Sequence, residues 1–383
     1  MAAAHVGKVP AALPLIRAEL GLDLVTAGWV VSIFNAIGVA VGMAVGVFAD
    51  RFGRRRVAIG GLAALVLGSA AGAMAEVGWV LLLTRFFEGL GFVIIAITAA
   101  AILAKASQDR DRRFVLGAWG AYYPTGMAAM MLLSPPLLGA YGWRGLWLAV
   151  ALATAGWLVV MWVATRDAND LEADSEGALP SSFDDIRVTV ARPGPWLLAF
   201  CFGLYTLQWL ALMAWMPTFL VESRGATLGM AATLTVIAVA VNIPGNLMGG
   251  YLLHRGVARW LLLAGAAALS VVLGIGIFLD VLGDPARYGL CLAYSFFVGV
   301  IPAAVLSGAP VFTPTANQLA TTNGLLVHGA NLGQVAGPPV VAAVVAATGS
   351  WDAGAWVFAA AGIIGTVLAF LVRGAERAAT ARG

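Results

Sequence analysis

Charged residues, cysteine and histidine are scarce in this chain of 383 residues. Only 11% of its residues are charged, against ~25% in soluble proteins, and 61% are hydrophobic, against ~45–50%. A soluble fold cannot bury that much apolar surface, so a soluble globular protein is excluded. The two cysteines, Cys201 and Cys291, lie in separate apolar stretches, which also excludes a small disulfide-based scaffold.

The same scarcity limits the chemistry that the chain can perform. Its three histidines and two cysteines are far apart in sequence, so no metal-ligand pattern or nucleophile triad is visible. A phosphate-binding Gly-x4-Gly-Lys-Ser/Thr loop is also missing, which argues against an ATP-driven pump. We therefore expect no enzyme activity, no cofactor, no bound metal and no nucleic-acid partner. The sequence does not exclude the alternative of a membrane receptor or scaffold without transport activity.

What the sequence has in abundance is long apolar runs. Eleven of them are long enough for a helix to cross ~30 Å of hydrocarbon, and they predict a polytopic helical membrane protein. The runs cover residues 28–48, 57–75, 78–104, 114–139, 145–165, 195–221, 229–252, 259–279, 287–311, 323–348 and 354–372. Residues 1–16 are apolar but too short to cross, carry His5 and Lys8, and lack the features of a signal peptide. They predict a partial first span.

The arginines and lysines are distributed unevenly between the two sides. If alternate connections face the same side, one side collects sixteen of the 22 basic residues and the other holds four. Because basic residues favour the cytoplasmic side, both chain termini are expected there, together with the long connection 166–194. That connection is acidic and contains serine and proline, which is typical of a linker.

Two patterns recur at nearly the same offset. Residues 46–51 end the second span and residues 250–255 end the eighth, an offset of 204. A glycine nine residues before a Pro-Pro pair occurs in residues 126–136 and again in 329–339, an offset of 203. Two agreeing offsets predict parallel structural repeats related by an axis along the membrane normal.

The repeat divides the chain into an N-terminal six-helix bundle, residues 1–165, the cytoplasmic linker 166–194, and a C-terminal bundle, residues 195–383. The seventh span begins near Pro195, whose counterpart 204 residues earlier would precede Met1. We therefore expect the first of the twelve helices to lack its first two or three turns.

The segment between the second and third spans resembles the signature loop of the major facilitator superfamily, G-x-x-x-D-R-x-G-R-R-R. It reads Gly46-Val47-Phe48-Ala49-Asp50-Arg51-Phe52-Gly53-Arg54-Arg55-Arg56. Span four, with Arg85, Glu88, Gly89 and Gly91, is similar to the R-x-x-x-G-x-G motif of that superfamily. Residues 202–222 resemble its cyanate and nitroimidazole permease branch.

This resemblance implies an all-α integral membrane fold of two six-helix bundles, and secondary transport by alternating access around one central cavity. It also implies a monomer in a bacterial inner membrane. The signature loop is then a conformational gate formed by Gly46, Asp50, Arg51, Gly53 and Arg54, with Asp50 meeting the start of span eleven near residues 321–323. The alternative is that the basic loop is only a cytoplasmic anchor.

Arg85 and Glu88 lie inside an apolar span, where ionisable side chains are costly and point to function. Lys8 is expected at the same depth on span one. Two cations and one carboxylate form a net positive site, which suits a small anion held by the arginine fork. Glu88 is the candidate proton carrier. The alternative is that Arg85 and Glu88, three residues apart, are only a structural pair.

Further substrate-binding candidates are uncharged side chains near the middle of other spans: His5, Gln208, Tyr122 and Asn331. His5 and Gln208 occupy equivalent positions, 203 residues apart. Such groups can equally form hydrogen bonds between helices. The sequence therefore favours a transporter of a small anionic or polar solute, coupled to protons. The alternative is a proton-coupled exporter of drugs or lipophilic cations.

Overall fold

The structure is a computed structural model that describes residues 1–106, 122–166, 183–278, 280–313 and 316–380. Secondary structure in these residues is helical, without strands. Nine of the described helices are long and apolar enough to cross a membrane. A helix pairs its backbone polar groups within the segment, so these apolar stretches can cross the hydrocarbon without unsatisfied backbone groups.

The described residues of the first part of the chain form five helices. They are α1 Ala4–Leu20, α2 Leu24–Phe52, α3 Arg54–Ala73, α4 Gly78–Ala106 and α5 Tyr122–Ala164. Asp23 caps α2 by accepting a hydrogen bond from the Thr26 backbone amide at 2.7 Å. The connection between α2 and α3 is the single residue Gly53, with φ 89°, a value that L-residues rarely adopt.

The rest of the chain forms α6 to α13 and two short 3₁₀ turns. The helices are α6 Phe183–Val190, α7 Pro193–Arg224, α8 Leu228–His254, α9 Arg259–Phe278, α10 Asp284–Val298, α11 Val300–Leu306, α12 Ala316–Thr348 and α13 Gly354–Thr380. The 3₁₀ turns are Ala309–Phe312 and Trp351–Ala353.

The helix boundaries refine the predicted spans. The described part of span five, residues 122–139, and span six both lie in α5, and they are separated at Gly142, whose φ of 62° and ψ of −174° are not helical. Span ten is divided at Gly299 into α10 and α11. The first helix continues past the predicted end at Ile16 to Leu20, and it ends at Gly21, which adopts the left-handed conformation with φ 62°. The predicted linker includes the helix α6.

The chain divides into two compact units. The first comprises Met1–Gly177 and Ala214–Val236, and the second comprises Ala178–Met213 and Ile237–Gly383. The outer part of α7 and the start of α8 therefore group with α1–α5. The ion pair between Arg17 on α1 and Glu222 on α7, with N···O distances of 2.5 and 2.6 Å, lies within the first unit.

In the first unit α4 packs against α2 and α3, and α5 packs against α1 and α3. Two glycines allow the closest approaches. A Cβ on Gly7 of α1 would lie 2.4 Å from the Met127 carbonyl oxygen, and one on Gly89 of α4 would lie 2.1 Å from the Phe34 carbonyl oxygen. Only glycine permits backbones to approach this closely.

The second unit repeats these pairings. Its helix α9 packs against α10 and α13, as α3 packs against α4 and α5. Gly245 on α8 approaches the Phe296 carbonyl oxygen of α10, as Gly89 approaches α2. Gly329, Gly333 and Gly337 line one face of α12 against α7, as Gly7 brings α1 against α5. The recurrence agrees with the predicted internal repeat.

Candidate functional site

Four of the predicted site residues meet inside the first unit. His5 and Lys8 stand one turn apart on α1, and Arg85 and Glu88 one turn apart on α4, so each pair projects from one helix face. All four side chains are completely buried. We call this group the charge cluster. Its burial inside a membrane helix bundle makes each hydrogen bond and ion pair within it important, because an unpaired charge there is costly.

Lys8 is held by three groups on three different helices. Its ammonium nitrogen is 2.9 Å from Glu88 Oε1 and 2.7 Å from the Ser69 hydroxyl of α3. It also lies over the ring of Trp147 on α5, 4.4 Å from the centroid, in cation–π geometry. The Ser69 hydroxyl in turn donates to the Trp147 backbone carbonyl oxygen at 2.8 Å. Ser69 is therefore fixed as an acceptor for the Lys8 ammonium.

Arg85 joins α4 to α1 and α2. Its Nη1 donates to Glu88 Oε2 and, at 3.0 Å, to the backbone carbonyl oxygen of His5. Its Nε is 3.3 Å from the Val30 carbonyl oxygen, and the guanidinium lies 4.4 Å from the Phe34 ring centroid. The guanidinium thus uses backbone oxygens and an aromatic face in addition to a carboxylate, which are groups that remain when Glu88 is neutral.

Glu88 is the single carboxylate of the charge cluster. Its Oε1 accepts from Lys8 and its Oε2 accepts from Arg85, and Oε2 also lies 3.5 Å from Nδ1 of His5. The other ring nitrogen of His5 is 3.0 Å from the Thr154 hydroxyl on α5. With His5 neutral, the formal charges are two positive and one negative, which gives a net charge of +1 in a fully enclosed site.

The second unit has an uncharged polar group in the corresponding region. Gln208 on α7 is buried, and its side-chain oxygen accepts from the Tyr294 hydroxyl of α10 at 3.3 Å. Tyr205 donates to Asn242 on α8 at 3.2 Å, and Asn242 donates to the Ser295 carbonyl oxygen at 2.9 Å. His5 and Gln208, which the repeat predicts to be equivalent, are both buried. His5 contacts Arg85 of α4, and Gln208 contacts Tyr294 of α10.

The other two substrate-binding candidates are not part of the charge cluster. Tyr122 begins α5 and is half-buried, with its ring 6.2 Å from that of Phe92 on α4. Asn331 lies half-buried on α12 in the second unit.

The predicted gate is described only in part. Gly46, Asp50 and Arg51 lie on α2, but their side chains are outside the described residues. Gly53 forms the tight turn that its position predicts, and Arg54 begins α3 and is half-buried. The gating role of these residues stays a prediction.

Three residues of the site were missed from the sequence. Ser69, Trp147 and Thr154 surround Lys8 and His5, and each is buried. Nothing local marks them, because a serine, threonine or tryptophan in an apolar helix is common.

Sequence comparison gives the family. The family model described as Major Facilitator Superfamily matches residues 3–318, which is most of the chain. The chain belongs to this superfamily. It is therefore a multi-pass membrane transporter of small solutes and not an enzyme, as its composition and apolar helices predict.

Two relatives show the range of solutes found among similar proteins. The chain is 26% identical over 371 residues to the probable sulfoacetate transporter SauU of Cupriavidus necator, covering 90% of this chain and 84% of that protein. It is 28% identical over 204 residues to the multidrug resistance protein B homolog of Mycobacterium tuberculosis, covering 53% of this chain and 36% of that protein.

The fold is shared with a solved transporter structure. A bacterial homolog to the human lysosomal transporter Spinster, in an inward-facing and unoccupied conformation, superposes with a TM-score of 0.80 at 16% identity. The match covers 99% of this chain and 94% of that chain. This confirms the fold of two six-helix bundles that the resemblance implies. Membership of the cyanate and nitroimidazole permease branch stays a prediction.

Proposed function

We propose that this transporter moves a small organic anion together with protons by alternating access, with the charge cluster as the coupling site. The observation that carries the proposal is that Lys8 and Arg85 share the single carboxylate of Glu88 in a buried site. A site of this composition has one uncompensated positive charge, which an anion compensates and a lipophilic cation does not.

Protonation of Glu88 connects the proton to the anion. While Glu88 is ionised, its carboxylate pairs with both Lys8 and Arg85. When it is neutral, Lys8 and Arg85 lose their counter-charge but keep Ser69, Trp147 and the backbone oxygens of His5 and Val30 as partners. They therefore stay in place with two unpaired positive charges, and binding of an anion becomes favourable. Each ligand strengthens binding of the other, as thermodynamic linkage requires.

The relatives support an anionic solute over a drug. The relative whose name gives sulfoacetate, a small dianion, aligns with nearly the whole chain. The multidrug relative aligns with about half of it. The exporter alternative rests on that partial match and on the buried carboxylate of Glu88, which would suit a cation once Arg85 no longer pairs with it.

The remaining assignments complete the proposal. His5, Gln208, Tyr122 and Asn331 contribute to solute binding, and Gly46, Asp50, Arg51, Gly53 and Arg54 form the cytoplasmic gate. The bundles are residues 1–165 and 195–383, joined by the linker 166–194. Both termini are cytoplasmic, and the protein acts as a monomer in a bacterial inner membrane.

A ligand screen on the purified protein tests the proposal. Thermal unfolding is measured with panels of small sulfonates and carboxylates, organic cations and neutral drugs. A ligand at about 100 times its Kd stabilises the folded state by about 2.7 kcal/mol. We expect stabilisation by anions and its loss in Arg85→Lys, which keeps the charge but loses the planar fork.

The control for the screen is Arg144→Lys. Arg144 pairs with Glu19 at the end of α1, away from the charge cluster, and is 36% exposed. This variant should respond to anions as the parent protein does. Stabilisation by lipophilic cations alone, unchanged in Arg85→Lys, would contradict the anion proposal and favour the exporter.

A further inference from the structure

The hydrogen bonds around His5 determine which of its ring nitrogens carries hydrogen. The Thr154 hydroxyl has one hydrogen, and the Val150 carbonyl oxygen, 2.8 Å away, can only accept it. The Thr154 oxygen is then left to accept from His5 Nε2 at 3.0 Å. This assigns the neutral imidazole as the tautomer with hydrogen on Nε2 and a bare lone pair on Nδ1.

That bare nitrogen faces a carboxylate. His5 Nδ1 is completely enclosed and has no hydrogen-bond partner among the described residues. It lies 3.5 Å from Glu88 Oε2, so two acceptors face each other at a distance too long for a hydrogen bond. A protonated Nδ1 would donate to this carboxylate and approach it to about 2.7–2.9 Å. The geometry is that of a site from which one proton is missing.

We propose that His5 Nδ1 and Glu88 Oε2 together bind the transported proton, with Thr154 as a positioning residue that fixes the histidine tautomer. The inference rests on the proposed proton coupling and assigns its atoms. The proton enters between the nitrogen and the oxygen and forms one short hydrogen bond, in which imidazolium and carboxylate neutralise each other. Glu88 is then no longer a full counter-charge for Lys8 and Arg85.

The charges around this pair set the direction of the linkage. Among the residues that the structure describes, the charged groups around His5 are Glu88 and Arg85 from α4 and Lys8 from its own helix. The uncharged Thr154 of α5 contacts His5, and Ser69 of α3 and Trp147 of α5 contact Lys8. Lys8 and Arg85 oppose an added proton, and only Glu88 attracts it. A bound anion near the two cations offsets their effect, so the His5–Glu88 pair should take up its proton more readily when an anion is bound.

The test uses ¹⁵N NMR of histidine side chains, which reports the hydrogen on each ring nitrogen directly. The chain has three histidines, so His254→Gln with His328→Gln, purified without a histidine tag, leaves His5 as the one labelled ring. We expect Nε2 to carry hydrogen and Nδ1 to be bare at high pH. As pH falls, Nδ1 should gain a proton while Nε2 keeps its own.

Variants of Thr154 and Glu88 separate the proposal from a purely structural role. Thr154→Ser keeps the acceptor and should keep the parent spectrum, while Thr154→Val should produce a population with hydrogen on Nδ1 at high pH. Glu88→Gln should shift protonation of Nδ1 to lower pH. Sulfoacetate added to the parent should shift it to higher pH.

Two results would overturn the inference. One is hydrogen on Nδ1 with a bare Nε2 at high pH in the parent protein. The other is Nδ1 protonation that is the same in the parent and in Glu88→Gln. Because the spectra are recorded without transport, they are independent of the proposed function. If the protein moved its solute without protons, the proposed coupling would be contradicted. The NMR spectra would still show which nitrogen of His5 carries hydrogen and whether Nδ1 binds a proton.

Discussion

At the scale of single residues, the two cations of the charge cluster are held by neutral groups as well as by the carboxylate of Glu88. Lys8 has a hydroxyl and an indole face beside its carboxylate, and Arg85 has two backbone oxygens and a phenyl ring. These partners do not titrate. We therefore expect Lys8 and Arg85 to keep their positions when the charge of Glu88 changes during the transport cycle.

Replacing Glu88 with Gln tests how much the carboxylate contributes to the stability of the charge cluster. Removing one partner of a buried ion pair costs about 3–5 kcal/mol, because the remaining charges are uncompensated. We expect Glu88→Gln to unfold at lower temperature, and small organic anions to restore more stability to it than to the parent protein. Thermal unfolding with and without anion measures both effects.

The control for this prediction is Glu376→Gln. Glu376 pairs with Arg259 and is 19% exposed, so solvent weakens this pair. It should lose less stability and gain none from anions. Equal losses and equal responses in the two variants would show that the charge cluster has no special affinity for anions.

Ser69 gives a second prediction at this scale, with a matched control in the other half. Ser69→Ala removes an acceptor from a buried ammonium and should cost about 1–3 kcal/mol. Ser270 in α9 donates to the Ala267 carbonyl oxygen of its own helix, so Ser270→Ala should cost only about 0.6 kcal/mol. Denaturation of both variants measures the difference, and similar costs would argue that Ser69 does not support Lys8.

At the scale of helices, glycines set the distance between neighbouring backbones. Gly329, Gly333 and Gly337, spaced four residues apart on α12, lie against α7. A Cβ on Gly333 would lie 2.0 Å from the Gly203 carbonyl oxygen. This approach explains why glycine is needed there and not merely tolerated.

Gly333→Ala and Gly324→Ala, both on α12, should therefore have opposite effects. At Gly324 an added Cβ meets nothing within 4 Å, so alanine should stabilise the helix by up to about 1 kcal/mol. At Gly333 overpacking should cost about 1–3 kcal/mol. Thermal unfolding of the two variants checks the signs, and a stabilising Gly333→Ala would show that α7 and α12 are not packed in this way.

The helices also show where sequence reasoning succeeds and where it stops. Lys8, Arg85 and Glu88 could be selected from the sequence, because a charged side chain inside a membrane span is energetically costly and needs a partner. The partners Trp147 and Thr154 could not be selected, since an apolar span leaves its rotation about its own axis undetermined. The break at Gly299 and the helix in the linker were missed for a related reason, as hydrophobicity reports burial in lipid and not backbone geometry.

At the scale of the whole molecule, the asymmetry of basic residues predicts its orientation in the membrane. Val77, between α3 and α4, and Ala258, between α8 and α9, are both exposed and are predicted to face opposite sides. Single cysteines at these positions test this, since Cys201 and Cys291 are buried and should give little background. We expect a membrane-impermeant maleimide to label Val77→Cys from outside intact cells, and Ala258→Cys only after lysis. The reverse pattern would invert the topology.

The most direct test of the account is proton movement driven by an anion gradient. Proteoliposomes that contain a trapped pH indicator are diluted into an inward gradient of sulfoacetate or a related small organic anion, with the membrane potential clamped. We predict internal acidification that requires the protein, persists in Arg144→Lys and is lost in Glu88→Gln. Anion uptake without any change of internal pH, or acidification that survives in Glu88→Gln, would contradict the claim that the charge cluster couples the anion to the proton.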